Sequence, residues 1–159
     1  MRQGSGTART RHRRSPARSA DGLASSRLST SVVYQIKLAQ LRAYDAFYHR
    51  FAGSGFTPLL FAIHALIVAN PGVRPRAIAR HLGLASSECS AAIDQLVMMG
   101  LAMRLSAVGA PCALGPTMRG REEFDNMWRE HCIMDAEYVQ SLTEDERELF
   151  LRMIRTIAA

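Results

Sequence analysis

The chemistry in this sequence is concentrated between Arg74 and Arg104. Arg74, Arg76 and Arg80 set three guanidinium groups just ahead of a run of small polar residues that includes Ser86, Ser87, Ser90, Ala91 and Gln95. Guanidinium groups pair with phosphate oxygens whatever the base sequence, whereas hydroxyl and amide side chains exchange hydrogen bonds with base edges. Gln95 has the donor and acceptor that match an adenine edge. Glu88 is read as a first-turn carboxylate answering a helix dipole rather than as a partner for cytosine. Catalytic signatures are missing: there is no phosphate-cradling Gly loop, no nucleophile elbow and no His-Glu pair at zinc spacing. Cys89, Cys112 and Cys132, with His12, His49, His64, His81 and His131, show no metal-ligand spacing. The expectation is a protein that is not an enzyme and needs neither cofactor nor metal, with Cys89 a small buried filler.

Positioning such groups on one surface needs a rigid helical unit, and the sequence supplies one. Thr57-Pro58 is a good helix start, because a capping hydroxyl is followed by a residue that needs no donor in the first turn. The helix it opens runs to about Ala69 and stops at Asn70-Pro71-Gly72. A short helix from Pro75 to His81 follows, packed by Ile78 and Leu82 and closed by Gly83, which permits the positive φ of a helix end. Ser86 or Ser87 opens the next, with Ile93 and Leu96 facing inward and the serines, Ala91 and Gln95 left outside, where they could enter a major groove. Residues 101–116 lack helical periodicity and read as two short strands around a turn. Two short helices on a Gly turn followed by a hairpin describe a winged helix-turn-helix. Flanking it are a helix through Val33, Ile36, Leu41, Tyr44, Tyr48 and Phe51, and a long helix opened by Thr117 and expected to reach about Leu142. Thr143-Glu144-Asp145-Glu146 is a capping box before a last helix bearing Leu149, Phe150, Met153, Ile154 and Ile157.

The 159 residues carry a net charge of +6, and its distribution is uneven. Residues 1–30 hold seven arginines against Asp21, so the rest is neutral, and residues 1–29 are expected to be a disordered Arg-rich arm. Within the body, Arg74 to Arg121 has six arginines against two carboxylates, whereas Glu122 to Glu148 has ten carboxylates against two arginines. That segregation suggests one face built for a polyanion. The apolar run Leu59 to Ala69, broken by His64, is about half a membrane span, and the N-terminus lacks the apolar stretch of a secretory signal. A reduced, cytoplasmic protein without a membrane partner is expected.

Over about residues 30–159 the sequence resembles the MarR family of bacterial transcription regulators. The likeness rests on the order of elements, on Ile78-Ala79-Arg80-His81-Leu82-Gly83-Leu84, and on Gly100-Leu101 after the second helix of the motif. Thr117-Met118-Arg119-Gly120 is similar to the family's Leu-Thr-x-x-Gly, and Thr143 to Ile157 to its last helix. The resemblance implies a mainly α fold with a small β-wing. It further implies an obligate homodimer, with dimerisation helices at about 30–52 and 117–159 around a winged helix-turn-helix at about 57–116. Recognition helices would lie in successive major grooves of a palindromic operator in double-stranded DNA, and a small aromatic or phenolic effector often releases the DNA in this family. Its pocket lies between the dimerisation helices and the DNA-binding lobe, where Tyr44, Tyr48, His49, His64 and Trp128 are the groups to look for, half-buried packing being the alternative. The chain departs from the pattern in two places. Ala91 and Gln95 stand where arginines commonly fall, and the wing, Ser106 to Cys112, lacks the Asp-x-Arg motif, leaving Arg104 the only charge near it. The expected function is a DNA-binding repressor at the bacterial nucleoid, released by an aromatic ligand. A nonspecific nucleic-acid binder driven by the arm, and a MarR-like scaffold acting through protein partners, stay open as alternatives.

Overall fold

A computed structural model describes residues 27–105 and 112–158. The arm expected over residues 1–29 and the wing tip at 106–111 therefore lie outside the described residues, except that Leu28 and Ser29 enter a 3-10 turn, Leu28–Thr30. The chain divides into two units, Met1–Leu41 and Arg42–Ala159.

In the first unit the 3-10 turn leads into helix α1, Val32–Arg50, which continues past the unit boundary. The Ser31 hydroxyl accepts from the Tyr34 backbone amide at 3.4 Å, and the Gln35 side-chain Nε2 donates to the Ser29 carbonyl at 3.2 Å, so the helix start is held locally. Val32, Val33, Ile36 and Leu41 are all exposed.

The second unit carries the remaining elements: α2 (Pro58–Ala69), α3 (Pro75–Leu82), α4 (Ser86–Met98), β1 (Ala102–Leu105), β2 (Ala113–Pro116), α5 (Met118–Tyr138) and α6 (Glu144–Ala158). Thr57 caps α2 by accepting from the Leu60 amide at 3.1 Å, with Pro58 in the first turn. α2 is apolar on every side and forms the centre of the core: Leu60, Ile63, His64 and Ile67 are all at most 2% exposed. Ile78, Cys89, Ile93, Leu96, Leu101 and Leu114 close around it. β1 and β2 pair antiparallel with Ala102 opposite Pro116 and Leu105 opposite Ala113. A short bridge adds the link before α3 to this hairpin, Gly72 N–H donating to the Leu114 carbonyl at 2.7 Å and Leu114 N–H to Val73 at 2.9 Å.

Thr117 caps α5 through the Gly120 amide, and its hydroxyl donates to the Gly100 carbonyl at 2.7 Å, tying the helix to the base of the wing. Gly120 packs there so closely that a Cβ would lie 1.9 Å from the Leu101 carbonyl oxygen. α5 ends at Tyr138, short of Leu142: the Val139 amide still bonds back to Asp135, and Gln140 to Leu142 then turn into the capping box. There Thr143 N–H donates to Glu146 at 2.9 Å and Glu146 N–H to the Thr143 hydroxyl at 3.4 Å. Leu149, Phe150, Leu151, Met153 and Ile157 of α6 are exposed. Among the described residues no helix is long and apolar enough to cross a membrane.

Candidate nucleic-acid interface and effector cleft

The turn between α3 and α4 is set by Gly83, whose φ of 66° is a left-handed end that side-chain-bearing residues resist. Its amide reaches back to the Ala79 and Arg80 carbonyls and aims α4 across α3. Ile78 and Ala79 from α3 meet Cys89, Ile93 and Leu96 from α4 in the core. That packing leaves Ser86, Ser87, Ser90, Ala91, Asp94 and Gln95 exposed on one side of α4. Ser86 is the first helical residue, and the cap position is Ala85 with no side-chain bond, so the serines do not cap the helix. Arg74, Arg76 and Arg80 are exposed as well, Arg74 at the cap of α3 and the other two one helical turn apart.

Arg104 has a different environment. Its guanidinium donates to Asp94 of α4 at 2.6 Å and to the Cys112 sulfur at 3.5 Å, so the base of the wing is pinned to α4 and this arginine's charge is partly answered within the chain. Cys89 is buried at 1% exposure, its thiol directed at the Pro75 carbonyl at 3.6 Å, and burial pushes its pKa above the ordinary thiol value. It is a packing group with suppressed thiolate chemistry.

A second site lies in the same unit. A cleft of about 350 Å³ opens between α1, α2 and α5. Its walls include Tyr44 and Phe47 from α1, Phe61 from α2, and His131, Asp135 and Tyr138 from α5. Phe61 sits 4.9 Å from the His131 ring and 6.4 Å from Trp128, nearly parallel to the latter. Burial holds His131 below the ordinary imidazole pKa, with Asp135 opposing the shift. An adjoining cleft shares Met134 and Tyr138 and reaches His49 and Arg50. There Arg50 is engaged by both Glu130 and Glu137, and His49 lies 3.7 Å from Asp45.

Of the five aromatic groups singled out from the sequence, Tyr44 lines the cleft and His49 the adjoining one. Tyr48 is half exposed with its ring edge-on to Phe47, and Trp128 stands behind the wall, stacked on Phe61 and His131. His64 is placed elsewhere, at 0% exposure between Phe56 and Phe124. Neither of its ring nitrogens has a well-formed hydrogen bond. Burial lowers its pKa, and the Gly120 backbone opposes the shift. Sequence reasoning missed Phe61, His131, Asp135 and Tyr138. The spacing 131, 134, 135, 138 on one helical face was the available signal.

Residues 57–102 match the family model described as winged helix-turn-helix DNA-binding. No curated protein matches the chain. Among solved structures, the transcriptional repressor CouR bound to a 23-mer DNA duplex is similar at a TM-score of 0.80 and 30% identity, covering 86% of this chain and 99% of that one. CouR bound to p-coumaroyl-CoA gives a TM-score of 0.77 and 31% identity over 86% of this chain and 97% of that one. A MarR-family regulator from Rhodococcus sp. RHA1 shares the fold at a TM-score of 0.78 and 18% identity, covering 84% of this chain and 96% of the other. With a near full-length relative at this identity, and with the helix-turn-helix, wing and flanking helices in this order, the chain belongs to the MarR family of winged helix-turn-helix transcriptional regulators.

Proposed function

We propose that this regulator is a homodimeric repressor that reads a palindromic operator through α4 and releases it when an aromatic effector enters the cleft. The observation that carries the reading is the outward face of α4. Ser86, Ser87, Ser90, Ala91 and Gln95 stand exposed on a helix whose opposite side is fully buried, with Arg74, Arg76 and Arg80 exposed nearby. Hydroxyl and amide groups supply base readout and the arginines supply phosphate neutralisation. Arg104, held by Asp94, serves first to fix the wing on the recognition helix.

The exposed apolar residues of α1 and, separately, those of α6 support a second copy as partner, since exposed apolar patches are covered by association. In a dimer the two α4 helices must match successive major grooves about 34 Å apart, so a ligand that favours another spacing lowers affinity by shifting an equilibrium between dimer geometries. CouR, bound by p-coumaroyl-CoA, supports an aromatic effector class. The reading puts the protein in the bacterial cytoplasm, at the nucleoid.

Fluorescence anisotropy with duplex from upstream of its own gene, against a scrambled duplex at near-physiological salt, tests this. A preference of about a thousandfold or more is expected. Equal, steeply salt-dependent affinity for both, lost on deleting residues 1–28, would replace the reading with arm-driven nonspecific binding.

A further inference from the structure

The effector cleft has a charge balance that selects among aromatic ligands. Asp135 is the only ionisable carboxylate, lysine or arginine group among its lining residues, so the site's formal charge is negative. The cation next door is already committed, because Arg50 is held by Glu130 on one side and Glu137 on the other. His49 of the adjoining cleft is exposed and faces Asp45. Burial disfavours the charged form of His131 and holds its pKa below the ordinary value even with Asp135 one helical turn away. An aromatic acid entering here would put its carboxylate beside Asp135, with no lysine or arginine among the described lining residues to receive it. Such a charge in an apolar site without a partner is costly. A positive group meets the opposite situation: Tyr44, Phe47, Phe61 and Tyr138 line the cleft, aromatic rings attract cations through their quadrupoles, and Asp135 supplies a counter-charge.

We propose that the cleft takes an aromatic ligand bearing a positive charge, an arylalkyl amine or quaternary ammonium, with Asp135 as its counter-ion and the surrounding rings as its cage. This rests on the reading above that the cleft holds an effector. It deepens that reading by assigning the ligand's charge.

The chain contains a single tryptophan, Trp128, stacked on two residues of the cleft wall, so its fluorescence reports occupancy directly. The full-length protein is titrated with three probes that share one arene: 3-phenylpropyl-trimethylammonium, 3-phenylpropanamide and 3-phenylpropanoate. p-Coumaroyl-CoA is run as a fourth, and anisotropy of the upstream duplex is followed in parallel. The ammonium probe is expected to bind about tenfold more tightly than the amide, and the carboxylate to bind weakest. Asp135→Asn, at an exposed position, should erase the advantage of the ammonium and leave the amide unchanged. Carboxylate binding as tight as ammonium binding overturns the proposal, and so does an ammonium preference that survives Asp135→Asn. If p-coumaroyl-CoA alone quenches Trp128 and releases DNA, the charge assignment fails while the effector reading stands. If no probe changes Trp128 or DNA binding, both fail.

Discussion

Replacing Gly120 by alanine tests the contact on which the wing and α5 depend. The added Cβ would lie 1.9 Å from the Leu101 carbonyl oxygen and 2.8 Å from its carbon, both backbone atoms. Relief needs a shift of more than an ångström, and neither side is free to give it. Leu101 is 2% exposed, its carbonyl accepts from the Thr117 amide at 3.1 Å, and its amide donates to Leu96 at 2.9 Å. Gly120 itself gives its amide to the Thr117 hydroxyl at 2.9 Å. Overpacking of this kind costs roughly 1–3 kcal/mol where side chains can move, and more where only backbone can. Alanine's better helix propensity returns about 1 kcal/mol. The net expectation is a loss of about 3 kcal/mol, or a Tm lowered by roughly 6–12 °C for a chain of this size. Urea unfolding followed by circular dichroism, at one fixed protein concentration because dimerisation contributes to stability, measures it. Gly53→Ala is the control: with φ of 79° and nothing within 4 Å of its Cβ, it should cost only about 1 kcal/mol. A Gly120→Ala loss no larger than that of the control would refute the reasoning.

Acid should destabilise the protein through its histidines. Burial holds the pKa of both His64 and His131 below the ordinary imidazole value, so the unfolded chain binds more protons in the window below that value, and stability is lost there as the pH is lowered. His64→Met should reduce the acid slope of unfolding free energy by up to about 1.4 kcal/mol per pH unit, and an unchanged slope would mean His64 is not neutral when folded. Asp94→Ala frees Arg104 and removes a carboxylate from the face of α4 proposed to meet DNA. DNA affinity should rise with a log–log salt slope steeper by about 0.9, while stability changes by less than about 1 kcal/mol because the pair is half exposed. Weaker binding instead would make the pair a brace the wing requires. Thr57→Ala removes the cap of α2 and should cost about 1 kcal/mol in the same urea assay, with a loss below about 0.3 kcal/mol counting against the bond to Leu60.

What could be read from the sequence was local. Thr57-Pro58, Gly83 and the Thr143–Glu146 box announce helix ends because each satisfies backbone groups within a few residues, and the structure places ends at all three. The outward face of α4 followed from the same logic, since Ile93 and Leu96 had to point inward. His64 shows where that logic stops. In a helix apolar all round, periodicity cannot say which side meets the core, and a lone histidine stands out as chemistry when its ring is packing. The end of α5 at Tyr138 depended on where the chain could turn into the capping box, and a continuing run of ordinary helix formers hid it. The cleft was legible only in part, through Tyr44, because its walls come from positions 44, 61 and 131, joined by no local pattern. The bridge from Val73 to Leu114 joins segments about forty residues apart and leaves no mark in either.

Those long-range contacts also explain how one small unit can join two sites. α2 packs on α4, on β2 and on α5, so the helix that carries Phe61 into the cleft also supports the recognition helix. At the other end of α5, the backbone contact of Gly120 with Leu101 and the Thr117 bond to Gly100 leave no slack between that helix and the wing. α5 is therefore fastened to the wing base through backbone contacts, whereas beside the cleft α2 meets α5 through the rings of Phe61, His131 and Trp128. On the proposed reading, a ligand in the cleft would press where Phe61 of α2 meets His131 of α5 rather than on the contact between α5 and the wing. Any displacement it favoured would reach α4 through the packing of α2 on that helix. Because the coupling is a free energy, operator binding must weaken the ligand by the same factor that the ligand weakens the operator.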